Sequence, residues 1–187
     1  MRISSGELKG RRVSSRAAFA KRPGGHELRP TSAKVREALF DIMRSDVEGS
    51  SFLDLYAGTG AVGIEALSRG ASEVTFVEEN RVRCRSIGEA VARFGLGGRG
   101  VVECRRAQDF LRRSGASYDI IFADPPYASD ELMNILPLVA EFDLLKPGGC
   151  LVIEHPSRLA PGGDGTLQCV KRYRYGDTML SLYRHGI

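Results

Sequence analysis

Several features that define other classes of protein are missing from this chain of 187 residues. No apolar run approaches the roughly 20 residues that a membrane-spanning helix needs. The first stretch, MRISSGELKGRR, is charged and lacks the apolar centre of a secretory signal, so we expect a cytoplasmic protein with no membrane partner. The apolar content of 42% and the charged content of 27% are ordinary for one globular domain.

Cysteine and histidine motifs are also missing. The four cysteines form no Cys-x-x-Cys pair, and no pair of histidines lies near them in the sequence. Neither a metal site nor a disulfide framework is therefore expected. Cys104 and Cys150 fall in strand-like runs, and we expect both thiols to be buried.

Positive charge is concentrated at the N-terminus. Residues 1–36 hold ten Lys or Arg against two Glu, a net charge of +8, whereas the other 151 residues hold 17 basic and 21 acidic groups, a net charge of −4. A basic arm on a mildly acidic body suggests a nucleic-acid partner, although a solvated tail would have the same composition. The residues predicted to contact nucleic-acid phosphates are Arg2, Lys9, Arg11, Arg12, Lys21, Arg22, Arg29, Lys34 and Arg36.

The pattern along the chain divides it into a basic arm or hairpin, residues 1–30, and a main domain, residues 31–187. Thr31 or Ser32 is expected to cap a first helix. From residue 51 onward, strand-like runs (SFLDLY, VTFVEE, GVVECR, YDIIFAD and CLVIEH) alternate with helical segments, which predicts an α/β fold with a mostly parallel sheet. Two final strand-like runs meet at Gly176-Asp177 and predict a C-terminal antiparallel hairpin.

The first strand leads directly into a glycine-rich loop and a helix. Gly58, Gly60 and Gly63 give the spacing G-x-G-x-x-G, which dinucleotide-binding turns and turns that serve only packing both use. Asp54 would be a poor neighbour for a pyrophosphate but a good one for a cation. S-adenosylmethionine carries a sulfonium and an ammonium, and therefore fits better than NAD.

The ends of the second and third strands complete the predicted cofactor site. Glu78 can accept hydrogen bonds from both hydroxyls of a ribose, which S-adenosylmethionine and NAD share. The stretch from Arg106 to Asp109 is where an adenine ring would be held, unless it is simply the start of a helix. The predicted cofactor-binding residues are Asp54, Tyr56, Ala57, Gly58, Gly60, Glu78, Ala107 and Asp124.

The fourth strand ends on Asp124-Pro125-Pro126-Tyr127, which we predict to be the catalytic loop. The prolines end the strand and stiffen the loop while leaving their carbonyl oxygens available. The Asp124 carboxylate and the Pro125 carbonyl then offer two acceptors for an NH₂ group, and the Tyr127 ring can stack on a base. The alternative is that Asp124 only caps the next helix.

These two loops resemble those of the amino-group methyltransferases that act on nucleic-acid bases. The segments RISSGELKGRRV, RPTSAKVREALFDIM, FLDLYAGTGAVGIEALSRGA and IIFADPPY together resemble the bacterial 16S ribosomal RNA guanine-N2 methyltransferase family of the RsmD type, over nearly the whole chain. The resemblance implies a Rossmann-like class I methyltransferase fold with a seven-stranded sheet and S-adenosylmethionine as methyl donor. It also implies a guanine of 16S ribosomal RNA as target, within the 30S subunit or its assembly intermediate.

The same resemblance implies roles for individual residues. Asp54, Gly58, Gly60 and Glu78 would bind the cofactor, and the Asp124 loop would hold the target base. One departure concerns the residue before Ala107, where family members often have Asp or Asn and this chain has Arg106, so that Gln108 or Asp109 could supply the contact to adenine. We expect the enzyme to be a monomer.

Two other functions fit parts of the sequence. A DNA adenine-N6 methyltransferase would use the same loop, because its target is also an exocyclic amine, but the chain has no sizeable extra domain for extracting a base from a duplex. A non-catalytic RNA-binding assembly factor could keep the fold, but the acceptor pair and the glycines that such a protein could lose are all present.

Overall fold

The computed structural model describes residues 2–13, 32–126, 131–159, 161–163 and 165–186. These residues form one seven-stranded sheet with the strand order β3-β2-β1-β4-β5-β7-β6. Strands β1 to β5 pair in parallel, and β6 and β7 form an antiparallel hairpin along β5. The strands are β1 Ser51–Leu55, β2 Glu73–Glu78, β3 Gly100–Cys104, β4 Tyr118–Ala123, β5 Leu145–Pro156, β6 Leu167–Tyr175 and β7 Thr178–His185. The predicted fold class is confirmed.

Helices cover both faces of the sheet, as parallel strands require. Successive side chains of a strand point to opposite faces, so Phe52, Phe122 and Val152 pack against α1, α2 and α3, while the residues between them pack against α4 and α5. The described helices are α1 Ala33–Ile42, α2 Ala61–Ser68, α3 Arg81–Arg93, α4 Ala107–Leu111 and α5 Glu131–Glu141. Among them, none is long and apolar enough to cross a membrane.

Local signals in the sequence account for most element boundaries. The Ser32 hydroxyl accepts a hydrogen bond from the Val35 amide at 3.2 Å and caps α1, as predicted. Gly176, at φ +63°, forms the predicted turn between β6 and β7. The expectation for the cysteines is only half right, because Cys150 is buried but Cys104 is exposed. Cys104 ends β3, which lies at the edge of the sheet and pairs with β2 alone.

The described part of the N-terminal segment packs on the domain. Residues 2–13 form a small turn closed by an antiparallel bridge between Arg2 and Arg12. Ile3, Leu8 and Val13 are buried in the same core as α1 and α2. The predicted boundary at residue 30 lies outside the described residues and stays a prediction.

Arg36 requires a correction, because it was predicted to bind RNA. Its side chain is buried in an ion pair with Glu65 of α2, with 2.6 Å between Nε and Oε2. A phosphate cannot reach it there. Burial alone would raise the pKa of Glu65, but hydrogen bonds from Ser4, Arg36 and Arg69 lower it below its ordinary value. Arg36 therefore joins α1, α2 and the N-terminal segment, and we remove it from the predicted RNA-binding set.

Candidate active site at the carboxyl edge of the sheet

The candidate site lies where the strand order reverses. β1 is flanked by β2 and β4, and Leu55 lies opposite both Val77 and Ala123. Residues that follow these three strands therefore meet at one edge of the sheet. Ligands of open α/β sheets bind at such a reversal, beyond the carboxyl ends of the strands.

The glycine-rich loop turns sharply between β1 and α2. Gly58 and Gly60 have φ of +58° and +73°, which is the left-handed region that favours glycine. The Ala57 amide donates to the Val77 carbonyl at 3.0 Å, and the Gly60 amide donates to the Ala57 carbonyl at 2.7 Å. The first hydrogen bond fixes the loop to the end of β2, and the second closes the turn.

Asp54 lies beneath this loop and is only 1% exposed. Its carboxylate accepts a hydrogen bond from the Gly63 amide at 2.9 Å. Burial raises the pKa of Asp54 to about 7, an effect that the Gly63 amide opposes and the Glu78 charge reinforces. Near neutral pH the carboxyl is therefore close to half protonated, and a bound cation would favour its ionised form.

Gly63 itself has a packing role in addition to this hydrogen bond. A Cβ atom built on Gly63 would lie 2.3 Å from a ring carbon of Phe76 and 2.8 Å from a methyl of Val74. The third glycine of the motif therefore lets α2 pack tightly on β2, and this contact positions the Gly63 amide above Asp54.

Glu78 supports the loop from the end of β2. One carboxylate oxygen accepts from the Gly58 amide at 2.9 Å, the other accepts from the Asn80 amide at 2.8 Å, and Arg83 lies 3.5 Å away. An ionised carboxylate has about four acceptor sites, so capacity remains for two ligand hydroxyls. A Cβ on Gly58 would meet only the Tyr56 carbonyl, at 3.7 Å, so the space beside it is open. This arrangement fits the ribose of a nucleoside.

Tyr56 is the most strained described residue of the loop. Its φ is +61°, which is unfavourable for a bulky side chain and has a cost of about 1–3 kcal/mol. Its hydroxyl is buried without a hydrogen bond of normal geometry to the described residues. Burial, followed by the charge of Glu131, raises the pKa of Tyr56. Strain and a buried polar atom of this kind are common where a loop is shaped for a ligand.

The residues predicted to hold adenine lie at the start of α4. Ala107 is buried, Arg106 is exposed, and 3.8 Å separates the Arg106 guanidinium from the Glu131 carboxylate. Gln108 is half-buried and Asp109 is exposed. The contact to adenine stays a prediction for residues 106–109.

The predicted catalytic loop follows β4 directly. Asp124 is half-buried, Pro125 is buried and Pro126 is exposed, while Tyr127 lies outside the described residues. A residue before proline is restricted to extended conformations, so both Asp124 and Pro125 continue the strand direction. The Asp124 side chain therefore lies on the same face as Phe122, which is the face of Asp54 and Glu78.

The remaining residues of the predicted RNA-binding set lie near the N-terminus. The described ones other than Arg36 are all exposed: Arg2, Lys9, Arg11, Arg12 and Lys34. The Arg11 guanidinium lies 5.8 Å from the centre of the Phe94 ring, and Arg93 donates to the Arg12 carbonyl. Lys21, Arg22 and Arg29 lie outside the described residues.

The sequence analysis gave no site role to two residues that shape the site. Gly63 and Asn80 donate the amides that hold Asp54 and Glu78, and the signal for Asn80 was its position as a cap immediately before α3.

Several known proteins are similar to this chain over most of its length. The model of a family described as "Conserved hypothetical protein 95" matches residues 1–184. A protein of Bacillus subtilis named "Putative rRNA methyltransferase YlbH" is 31% identical over 98% of this chain and 98% of its own length. The "Ribosomal RNA small subunit methyltransferase D" of Escherichia coli K12 is 34% identical over 73% of this chain and 66% of its own length.

Solved structures show the same architecture. A structure described as "Putative methyltransferase yhhF from Escherichia coli" aligns with a TM-score of 0.85 at 26% identity, covering 99% of this chain and 97% of that one. A hypothetical protein of Thermus thermophilus, TTHA0928, aligns with a TM-score of 0.78 at 33% identity, covering 97% of this chain and 98% of that one.

Proposed function

Since this chain belongs to the family described as Conserved hypothetical protein 95, the RsmD type of ribosomal RNA methyltransferase, we propose that it methylates the exocyclic N2 amine of a guanine in 16S ribosomal RNA. The methyl donor is S-adenosylmethionine, and the substrate is the 30S subunit or its assembly intermediate. The main support for this proposal is the parallel register of β1 and β4, which brings the glycine-rich loop after β1 next to Asp124 and Pro125 after β4.

The donor and the target occupy neighbouring halves of one edge of the sheet. Glu78 and Asp54 belong to β2 and β1, on the donor side, and Asp124 follows β4, on the target side. Glu78 would hold the ribose hydroxyls, Asp54 would favour the cationic end, and Ala107 would lie beside the adenine. When bound, S-adenosylmethionine supplies an electrophilic methyl group.

The chain's own contribution is to position the amine and make it more nucleophilic. The lone pair of an amine on a base is delocalised into the ring. Hydrogen bonds from its two hydrogens to the Asp124 carboxylate and the Pro125 carbonyl increase the electron density on nitrogen and favour its pyramidal form. As the bond between the nitrogen and the methyl carbon forms, the bond between that carbon and the donor's sulfur would break. The amine would then give up one proton, which the Asp124 carboxylate can accept.

The surface near the site carries features that suit RNA. Lys34 lines a groove of about 520 Å³ together with Tyr173 and Tyr175 of β6. Two acids of α1, Glu37 and Asp41, line the same groove. Tyrosine rings beside a cation suit unpaired bases and their phosphates.

The proposal is tested by supplying labelled S-adenosylmethionine with naked 16S RNA, 30S particles and duplex DNA, followed by digestion to nucleosides. We expect label in N2-methylguanosine from small-subunit RNA. Label in N6-methyladenosine from DNA would instead identify a DNA adenine methyltransferase. Binding to RNA with no transfer to any of the three substrates would identify a non-catalytic assembly factor.

A further inference from the structure

Glu154 lies beside the predicted catalytic loop and takes no part in the mechanism proposed above. Ala123 of β4 and Ile153 of β5 are the last pair of their register. Continuing this register by one residue places Asp124 next to Glu154. Adjacent strands are about 4.8 Å apart. Glu154 is only 3% exposed and lies within β5, two residues before its end at Pro156. A buried carboxylate has a cost unless hydrogen bonds or an opposite charge compensate for it.

Glu154 and Asp124 also face the same way. Val152 and Leu180 belong to the core on the α1 side, and Glu154 lies two residues after Val152 and directly opposite Leu180. Alternation therefore points its side chain to that face, where the proline after Asp124 also keeps the Asp124 side chain. The strand order β2-β1-β4-β5 thus carries four carboxylates along one edge and one face: Glu78, Asp54, Asp124 and Glu154.

The base that is proposed as target offers a reason for two carboxylates on the target side. Guanine has an N1–H next to its N2 amine. On this side of the ring, both neighbouring groups are therefore hydrogen-bond donors. In adenine, N1 carries a lone pair next to the N6 amine. A second carboxylate beside Asp124 would bond to the guanine N1–H and would repel the adenine N1 lone pair.

We propose that Glu154 determines the specificity for guanine by accepting the hydrogen bond of the guanine N1–H while Asp124 holds the amine. This inference rests on the proposed function. Asp124 and Glu154 each also interact with other parts of the protein. A carboxylate has about four acceptor sites, so an interaction within the fold leaves capacity for the base.

The test uses a target in which only the partner of Glu154 is changed. 2-Aminopurine keeps the 2-amine but has a lone pair at N1 and no 6-oxygen. Small-subunit RNA carrying guanine or 2-aminopurine at the methylated position is assembled into the particle that the wild-type protein accepts, and kcat/KM is measured for each. We expect wild type to prefer guanine by about 10² or more, since sites built around a substrate hydrogen bond reject analogues that lack it.

Glu154→Gln should change this preference, because its amide can donate to the N1 lone pair of 2-aminopurine. We expect the guanine preference to fall to about tenfold or less, with cofactor affinity unchanged. Glu154→Ala should reduce the preference by lowering kcat/KM for guanine and not for 2-aminopurine. Glu103→Gln, which changes an acid on β3 near the same edge, serves as matched control and should keep the wild-type preference.

The results separate this inference from the proposed function. Wild type that methylates both bases with equal efficiency would overturn the role of Glu154 whether or not its variants fold. An unchanged preference in a folded Glu154→Gln protein would overturn it as well. If wild type methylates no guanine amine in any RNA, the proposed function itself fails and this inference fails with it.

Discussion

The raised pKa of Asp54 predicts that cofactor binding depends on pH. The ordinary pKa of an Asp side chain is 3.8, and burial raises the pKa of Asp54 to about 7 in the folded protein without ligand. A cationic ligand favours the ionised carboxylate, so binding should be coupled to loss of the Asp54 proton. With this pKa, about one tenth of the protein has Asp54 ionised at pH 6 and about nine tenths at pH 8. The dissociation constant of S-adenosylmethionine should therefore fall about tenfold from pH 6 to pH 8 because of Asp54.

The same pKa predicts how the free protein's stability changes with pH. The folded state binds a proton that the unfolded state has already released between pH 4 and pH 7, so the free energy of unfolding should fall as pH rises through this window. A shift of about 3 units at 1.36 kcal/mol per unit gives a loss of about 4 kcal/mol. The loss should be complete above the folded pKa of about 7.

Asp54→Asn removes the titrating group and keeps an oxygen to accept from the Gly63 amide. Calorimetric titration with S-adenosylmethionine between pH 6 and pH 8, together with urea denaturation between pH 4 and pH 8, compares wild type with this variant. The ligand's own ammonium titrates equally with both proteins, so the difference in slope reports Asp54. Glu73→Gln, at the opposite edge of the sheet, should behave like wild type. Identical pH slopes for wild type and Asp54→Asn would refute the reasoning.

Three further predictions concern packing and RNA binding. Gly63→Ala should lower the free energy of unfolding by about 1–3 kcal/mol in urea denaturation, because its Cβ would overlap Phe76; an unchanged value would contradict the packing role. Arg36→Met should cost about 3 kcal/mol, since it leaves Glu65 buried with fewer partners, and unchanged stability would contradict the ion pair's structural role. Replacing Arg11 and Arg12 with Gln should reduce the salt dependence of RNA binding, with the slope of log K against log salt falling by about 0.7 per contact on single strands, as measured by filter binding at several salt concentrations, whereas an equal slope would exclude both as phosphate contacts.

Much of the fold could be predicted because the pattern is local. Apolar runs bounded by glycine, the Ser32 cap and the Gly176 turn each specify an element without reference to distant residues. The acids at strand ends could be found for the same reason, since parallel strands bring their carboxyl ends to one edge. The basic residues 1–36 show the limit of this reasoning. Their net charge does not reveal that the Arg36 side chain is buried whereas the other described cations of the set are exposed.

The errors concern contacts between distant parts of the chain. Arg36 has the charge of an RNA-binding residue, but Glu65, 29 positions later, holds it in the interior. Cys104 has the sequence context of a buried strand, but β3 lies at the edge of the sheet. The role proposed for Glu154 depends on the register of β4 and β5, which places it beside Asp124. None of these pairings can be obtained from periodicity or composition.

The central claim is that Asp124 makes the target amine nucleophilic, and single-turnover kinetics on 30S particles test it most directly. With saturating S-adenosylmethionine, Asp124→Ala should lower the rate of methyl transfer by about 10²–10³, comparable to the loss of one preorganised hydrogen-bonding group. The affinity for RNA should change little, and Asp124→Asn should retain measurable activity because it keeps one acceptor oxygen. A wild-type single-turnover rate in a folded Asp124→Ala protein would contradict the account.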